Sequence, residues 1–282
     1  MTHPNLLPLP SHCLWHEYTK RVHLSTGINM AYMEAGNPDG QPLILIHGFS
    51  DSSRIWRLAI TRLQEQFHIF AVDLRGFGQS DKPAQFIYSM PQHAEDILAF
   101  MDALHIPQAD FIAHSMGTMI AQTVAFSAPN RVKKLVLAST MARMHETPAD
   151  ILAMEQLYAG LDMQNASELV LQQTFLPFPE NCLDKDFPAG YFSTLRLLSG
   201  ASLATAWRGM SLTDNRNFLQ FIQAPILILW GTNDSIFTQP YQDEIRSFLP
   251  QARFITLENV AHEIPNEAPL VMVRFAQEFF LE

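Results

Sequence analysis

The sequence predicts an α/β fold, a mostly parallel sheet with helices on both faces and one helical insert. Three observations carry this reading. Apolar runs such as Leu43-Ile44-Leu45-Ile46 lack period-two alternation, as parallel strands covered on both faces do. Segments of helical period separate these runs, so strand and helix alternate. The alternation then stops between residues 141 and 221 and resumes at Pro225. A chain of 282 residues, 48% hydrophobic and 16% charged, has enough apolar material for a large buried core.

Residues 1–19 read as an irregular lead containing Pro and His. Two strands, Arg21 to Ser25 and Asn29 to Glu34, are joined at Thr26-Gly27. The buried strand Leu43 to His47 follows. Arg54 to Gln66 is expected to be helical, with Ile55, Leu58, Ala59 and Leu63 at helical spacing. His68 to Leu74 is a strand. Met90 to Leu104 is a helix with Pro91 in its first turn. Ala109 to His114 is a strand, Thr118 to Ser127 a helix, and Lys133 to Ser139 the next strand. Within the insert, helices are expected at Asp150 to Gly160, Ala166 to Phe175 and Tyr191 to Met210, with prolines 177, 179 and 188 breaking the middle. Pro225 opens another buried strand, and Arg253 to Leu257 is the last.

The most informative segment is Ala113-His114-Ser115-Met116-Gly117. It places a serine on a tight turn between a strand and a helix, at a helix N-terminus that favours negative charge. That is where a nucleophile needs to sit. The pattern is G-x-S-x-G with Ala113 in place of the first glycine. Downstream, Asp234 lies just past the strand Ile226 to Trp230, and His262 lies in the loop after Arg253 to Leu257. Upstream, Leu43 to Ile46 runs into His47-Gly48-Phe49, and Asp73-Leu74-Arg75-Gly76-Phe77-Gly78-Gln79-Ser80 forms a D-x-R-G-x-G-x-S loop.

The order Ser, Asp, His in these settings resembles the α/β-hydrolase superfamily, in particular serine esterases and lactonases with a helical lid. The resemblance runs from about Arg21 to Phe280. It implies the α/β-hydrolase fold, an eight-stranded, mostly parallel sheet, with residues 1–140 and 216–282 as the core and 141–215 as the lid. It implies a triad of Ser115 as nucleophile, His262 as base and Asp234 as the acid orienting it. The expected oxyanion donors are the backbone N–H groups of Phe49 and Met116. Expected substrate contacts are His114, Tyr158, Trp207, Arg208 and Met210; Met154, Phe175 and Tyr191 are further pocket candidates. His47, Asp73 and Arg75 read as structural organisers of their loops, and His114 is also expected to pack beneath the turn. The Ser-Asp-Lys-Pro run at 80–83 resembles epoxide hydrolases and haloalkane dehalogenases. Those use an aspartate nucleophile, a role that serine cannot fill.

The expected function is therefore cleavage of a small, apolar carboxylic ester or lactone through an acyl-enzyme. Two alternatives come with it. One is carbon–carbon hydrolysis of a vinylogous diketone, with Arg196 or Arg208 binding a carboxylate. The other is a non-enzymatic receptor on the same fold. A net charge of −10 argues against a nucleic-acid partner. No apolar run is long enough to span a bilayer, and Met1-Thr2-His3-Pro4-Asn5 lacks the basic segment of a signal peptide. Cys13 and Cys182 form neither a metal-like pair nor a disulfide framework. The expectation is a cytoplasmic monomer or homodimer needing no metal and no cofactor.

Overall fold

Alternate residues of the central strands point to opposite faces, and each face is buried by its own helices. The computed structural model describes residues 9–84, 88–175, 182 and 186–282. Eight strands form one sheet: β1 (Lys20–His23), β2 (Asn29–Gly36), β3 (Gln41–Ile46), β4 (Phe67–Val72), β5 (Ala109–His114), β6 (Val132–Ala138), β7 (Ile226–Gly231) and β8 (Arg253–Leu257). Their order is β1-β2-β4-β3-β5-β6-β7-β8. β2 pairs antiparallel with β1 and β4, and every later pairing is parallel.

The helices are α1 (Arg57–Leu63), α2 (Met90–Ala103), α3 (Met116–Ser127), α4 (Pro148–Ala159), α5 (Glu168–Thr174), α6 (Phe187–Leu195), α7 (Gly200–Ser211), α8 (Arg216–Leu219), α9 (Gln239–Phe248), α10 (Ile264–Glu267) and α11 (Pro269–Leu281). Ile44, Phe111, Leu135 and Ile228 face one side and pack with Ile97 of α2, Ile120 of α3 and Ile245 of α9. Their neighbours Leu43, Ile112, Val136 and Leu227 face the other side, against Ile60 of α1 and Met272 of α11. This two-sided burial is why the strands read as continuous apolar runs. Among the described residues, no helix is long and apolar enough to cross a membrane.

Four expectations need correction. The lead is not wholly irregular: His12–Tyr18 forms a 3-10 helix with His12 and Trp15 buried, and the Trp15 indole N–H donates to Ser53 Oγ at 2.9 Å. The helix expected from Arg54 starts as a 3-10 turn over Ser53–Trp56 and becomes α-helical only at Arg57. The helix expected from Met116's neighbour Thr118 begins at Met116 itself, directly after the serine. Finally, Tyr191 to Met210 is two helices, α6 and α7. Ser199 caps α7, its hydroxyl accepting from the Ser202 N–H at 3.0 Å. Gly200 lies so close to α4 that a Cβ there would fall 2.5 Å from the Tyr158 carbonyl oxygen. Periodicity alone does not register such a break, because residues on both sides of it keep apolar faces. Prolines 177 and 179 lie outside the described residues.

The insert joins the end of β6 to the start of β7, and α4 to α7 lie within it. These helices are locally well signalled. α4 has a complete capping box in which Thr147 and Asp150 satisfy each other's backbone N–H groups. Ser167 caps α5 through the Val170 N–H.

Candidate active site

β5 ends at His114 and α3 starts at Met116, leaving one residue, Ser115, to make the turn. It does so with φ 51° and ψ −122°, a positive-φ conformation that costs a non-glycine residue about 1–3 kcal/mol. Its N–H donates to the Ala138 carbonyl of β6 at 3.0 Å, which anchors the turn to the sheet. Close approach explains the small residues around it. A Cβ on Gly117 would meet the His47 carbonyl oxygen at 2.5 Å, and one on Gly48 would come 3.0 Å from the Ser115 Cβ. α3 therefore packs directly against the loop after β3.

Ser115, Asp234 and His262, separate in sequence, meet at the C-terminal edge of the sheet. Ser115 Oγ lies 2.9 Å from His262 Nε2. His262 Nδ1 lies 3.0 and 3.1 Å from the two Asp234 carboxylate oxygens. A carboxylate only accepts, so Nδ1 carries the proton and Nε2 is free to accept from the serine hydroxyl. All three residues are buried. Burial pushes the Asp234 pKa up most strongly. The His262 hydrogen bond and charge and the N–H groups of Phe237 and Ile236 together outweigh it, holding the carboxyl below its ordinary value. For His262 burial likewise opposes the charged form. Asp234, Glu263 and Glu267 outweigh it and hold the imidazole above its usual pKa.

The loop carrying His262 is fixed from several sides. Its carbonyl accepts from His114 Nε2 at 2.9 Å and Ser139 Oγ at 2.8 Å. Glu267 accepts from the N–H groups of Ala261 and Glu263. His114 thus lies behind the turn as expected, and also borders the cavity in front of it. Burial, reinforced by the His262 charge, pushes its pKa down to about 3, so the ring is neutral.

His47 organises the loop after β3. The Leu74 N–H donates to its Nε2 at 3.0 Å, so the proton sits on Nδ1, which donates to the Gly48 carbonyl at 2.7 Å. A trans peptide sets its C=O and N–H in opposite directions. With the Gly48 carbonyl held by His47, the Phe49 N–H points the other way. The Met116 N–H is the first of α3 and has no acceptor within the helix. Asp73 accepts from the N–H groups of Ser53 and Gln79, and Arg75 makes a buried two-point pair with Asp96 at 2.6 and 2.7 Å. Both are organisers of structure, as expected.

A cavity of about 280 Å³ opens onto Ser115. Tyr158, Trp207 and Met210, expected as substrate contacts, line it, as do Met154 and Phe175. Phe49 bridges the two walls, with its ring 5.3 Å from Tyr158 and 6.0 Å from Trp207. Arg208 is a correction. It is exposed and pairs with Glu155 at 3.3 Å, because residue 208 falls on the outer face of α7 while 207 and 210 face inward. Arg196 donates to the Gln164 and Ala166 carbonyls and does not border the cavity. Tyr191 hydrogen-bonds Ser50 Oγ at 2.9 Å behind the wall. Sequence reading missed Asp51, Glu146 and Glu263, which all border the cavity. The adjacency of Glu263 to His262 and of Asp51 to the Phe49 loop was the available signal.

Comparisons agree with this architecture. The chain is 26% identical over 260 residues to the uncharacterized hydrolase YugF of Bacillus subtilis, covering 90% of this chain and 94% of that one. It is 26% identical over 222 residues to 3-oxoadipate enol-lactonase 2 of Acinetobacter baylyi, covering 75% and 78%. A hydrolase from Pseudomonas aeruginosa superposes with a TM-score of 0.83 at 24% identity, over 93% of this chain and 98% of its own. A family model described as the alpha/beta hydrolase fold matches residues 41–269, so the chain belongs to the α/β-hydrolase family.

Proposed function

We propose that this hydrolase cleaves a carboxylic ester or lactone through an acyl-enzyme on Ser115. The observation that carries the reading is the relay Ser115 Oγ–His262 Nε2–Asp234, at 2.9 and 3.0 Å, with a cavity in front of the serine. His262 takes the hydroxyl proton as Ser115 Oγ attacks the carbonyl carbon. Asp234 holds the ring and stabilises the imidazolium. The N–H groups of Phe49 and Met116 receive the oxyanion. His262 then passes its proton to the leaving alcohol as the carbon–oxygen bond breaks. Water, deprotonated by His262, attacks the acyl carbon; the bond to Ser115 Oγ breaks as His262 returns the proton to it, and the acid is released. In a lactone the alcohol stays tethered to the acyl group.

On this reading residues 141–215 act as a lid over a core of 1–140 and 216–282, and they supply the apolar wall. The similarity to an enol-lactonase supports a lactone as one substrate type. The carbon–carbon hydrolase alternative loses its motivation, since neither Arg196 nor Arg208 borders the cavity. Incubation with p-nitrophenyl butanoate, γ-butyrolactone and a vinylogous 1,5-diketone tests the reading. Ester or lactone turnover is expected. Diketone ring-fission products alone, or no turnover of any of the three, would refute it.

A further inference from the structure

The cavity wall carries carboxylates. Asp51, Glu146 and Glu263 border the cavity, and none of the described residues lining it is a lysine or arginine. The nearby cation, Arg54, is 1% exposed and already engaged. It lies 3.1 Å from Asp51, donates to Thr194 Oγ1 at 2.9 Å, and sits 4.6 Å from the centre of the Phe187 ring. Glu263 has spare capacity. Its Oε2 accepts from Asn266 Nδ2 at 3.0 Å, and its Oε1 has no protein partner among the described residues. The opposite wall offers a second unused group. Tyr158 is 5% exposed, and its hydroxyl has no protein partner among the described residues.

We propose that Glu263 forms a subsite for a hydrogen-bond donor, a hydroxyl or protonated amine, on the alcohol part of the ester, and rejects alcohols carrying a carboxylate. The proposal rests on the serine-hydrolase reading above. In that chemistry His262 protonates the leaving oxygen, so the alcohol must lie beside His262. Glu263 is the next residue in the chain, and its charge is felt by the imidazole. Phe49, Trp207 and Met210 make the apolar surface that suits the acyl chain. Burial raises the pKa of Glu263, and the nearby Asp234 charge adds to the rise. A cation or donor relieves that crowding, whereas a further carboxylate adds to it.

Four butanoate esters test it: propyl, 2-hydroxyethyl, 2-(dimethylammonio)ethyl and 2-carboxyethyl, with acid release followed at constant pH. Wild type should favour the hydroxyethyl and ammonioethyl esters over the carboxyethyl ester by about tenfold or more in kcat/KM. Glu263→Gln should narrow that ratio about tenfold. It should also move the acidic limb of the pH profile to lower pH, because a negative charge beside His262 is gone. A merely structural role for Glu263 would lower all four esters alike. That uniform loss, or a carboxyethyl ester cleaved by wild type as well as the hydroxyethyl ester, would overturn the proposal. The wild-type ranking needs no variant to fold. If Ser115-dependent cleavage of the neutral propyl ester persists while the ranking fails, the specificity inference alone is wrong. If no ester is cleaved, both readings fall.

Discussion

The two walls of the cavity are held in different ways. Ser115, Asp234 and His262 stand on loops at the ends of β5, β7 and β8. Backbone hydrogen bonds tie these loops to neighbouring strands, such as Ser115 N–H to Ala138 at 3.0 Å, Ser139 N–H to Leu229 at 2.9 Å and Thr232 N–H to Leu257 at 3.0 Å. The facing wall, with Tyr158 and Trp207, comes from α4 and α7 of the insert, and both rings pack on Phe49 of the sheet side. The Trp207 indole donates to the Ile151 carbonyl within the insert at 3.1 Å, which ties α7 to α4 and not to the sheet. On the proposed mechanism, the comparison teaches that the reacting groups are placed by the sheet's own ladder, while the surface proposed to meet substrate can change without disturbing them.

The largest expected effect lies on the sheet wall. Ser115→Ala should lower kcat/KM on p-nitrophenyl butanoate by about four to six orders of magnitude, with circular dichroism unchanged. Residual activity of several per cent in a contaminant-free preparation would place the nucleophile elsewhere. Asp234→Asn keeps the shape but no longer enforces the Nδ1–H tautomer, so kcat should fall by about a thousandfold or more with KM little changed. A silent variant would show that the relay does not need this acid.

A pH profile sharpens the same wall. As the proposed base, His262 works only when neutral, and its neighbours hold the imidazole above the ordinary value of 6.5 despite burial. Hence kcat/KM should fall, tenfold per pH unit, below a limb centred above pH 6.5. A limb well below 6.5 would mean that burial outweighs Asp234 and its neighbours.

Gly117→Ala probes the contact between α3 and the β3 loop. The added Cβ would press on backbone oxygen at 2.5 Å, so about 1–3 kcal/mol of stability should be lost in urea unfolding. Unchanged stability would show that the turn has slack. On the insert wall, Trp207→Ala should cost about tenfold in kcat/KM for a long-chain p-nitrophenyl ester and much less for the acetate. Equal losses on both would mean that the insert wall also positions the reacting groups, contrary to the division drawn above.

The same division decides what the sequence makes legible. A parallel strand buried on both faces leaves a continuous apolar run, and the turn at Ser115 demands small residues at Gly48 and Gly117. The strand pattern is local and the residues around Ser115 keep the A-x-S-x-G pattern of the turn, so the strands and the serine can be located from the chain alone, and Asp234 and His262 from their places after β7 and β8. The insert leaves no such mark. A Trp or Met facing a cavity and one facing a core look identical in sequence, and one helical step separates inward Trp207 from outward Arg208. The break at Ser199-Gly200 is set by packing on Tyr158, a contact between segments. The acidic wall leaves no mark in sequence, because only the fold brings Asp51 and Glu263 to one cavity.

The central claim is a covalent acyl-enzyme on Ser115. Treating the protein with diethyl p-nitrophenyl phosphate, digesting it and analysing the peptides by mass spectrometry tests it most directly. The account predicts one stoichiometric phosphoryl adduct on Ser115, formed in step with loss of esterase activity and absent from Ser115→Ala. Loss of activity with the adduct on another residue, or full modification of Ser115 with activity retained, would contradict it.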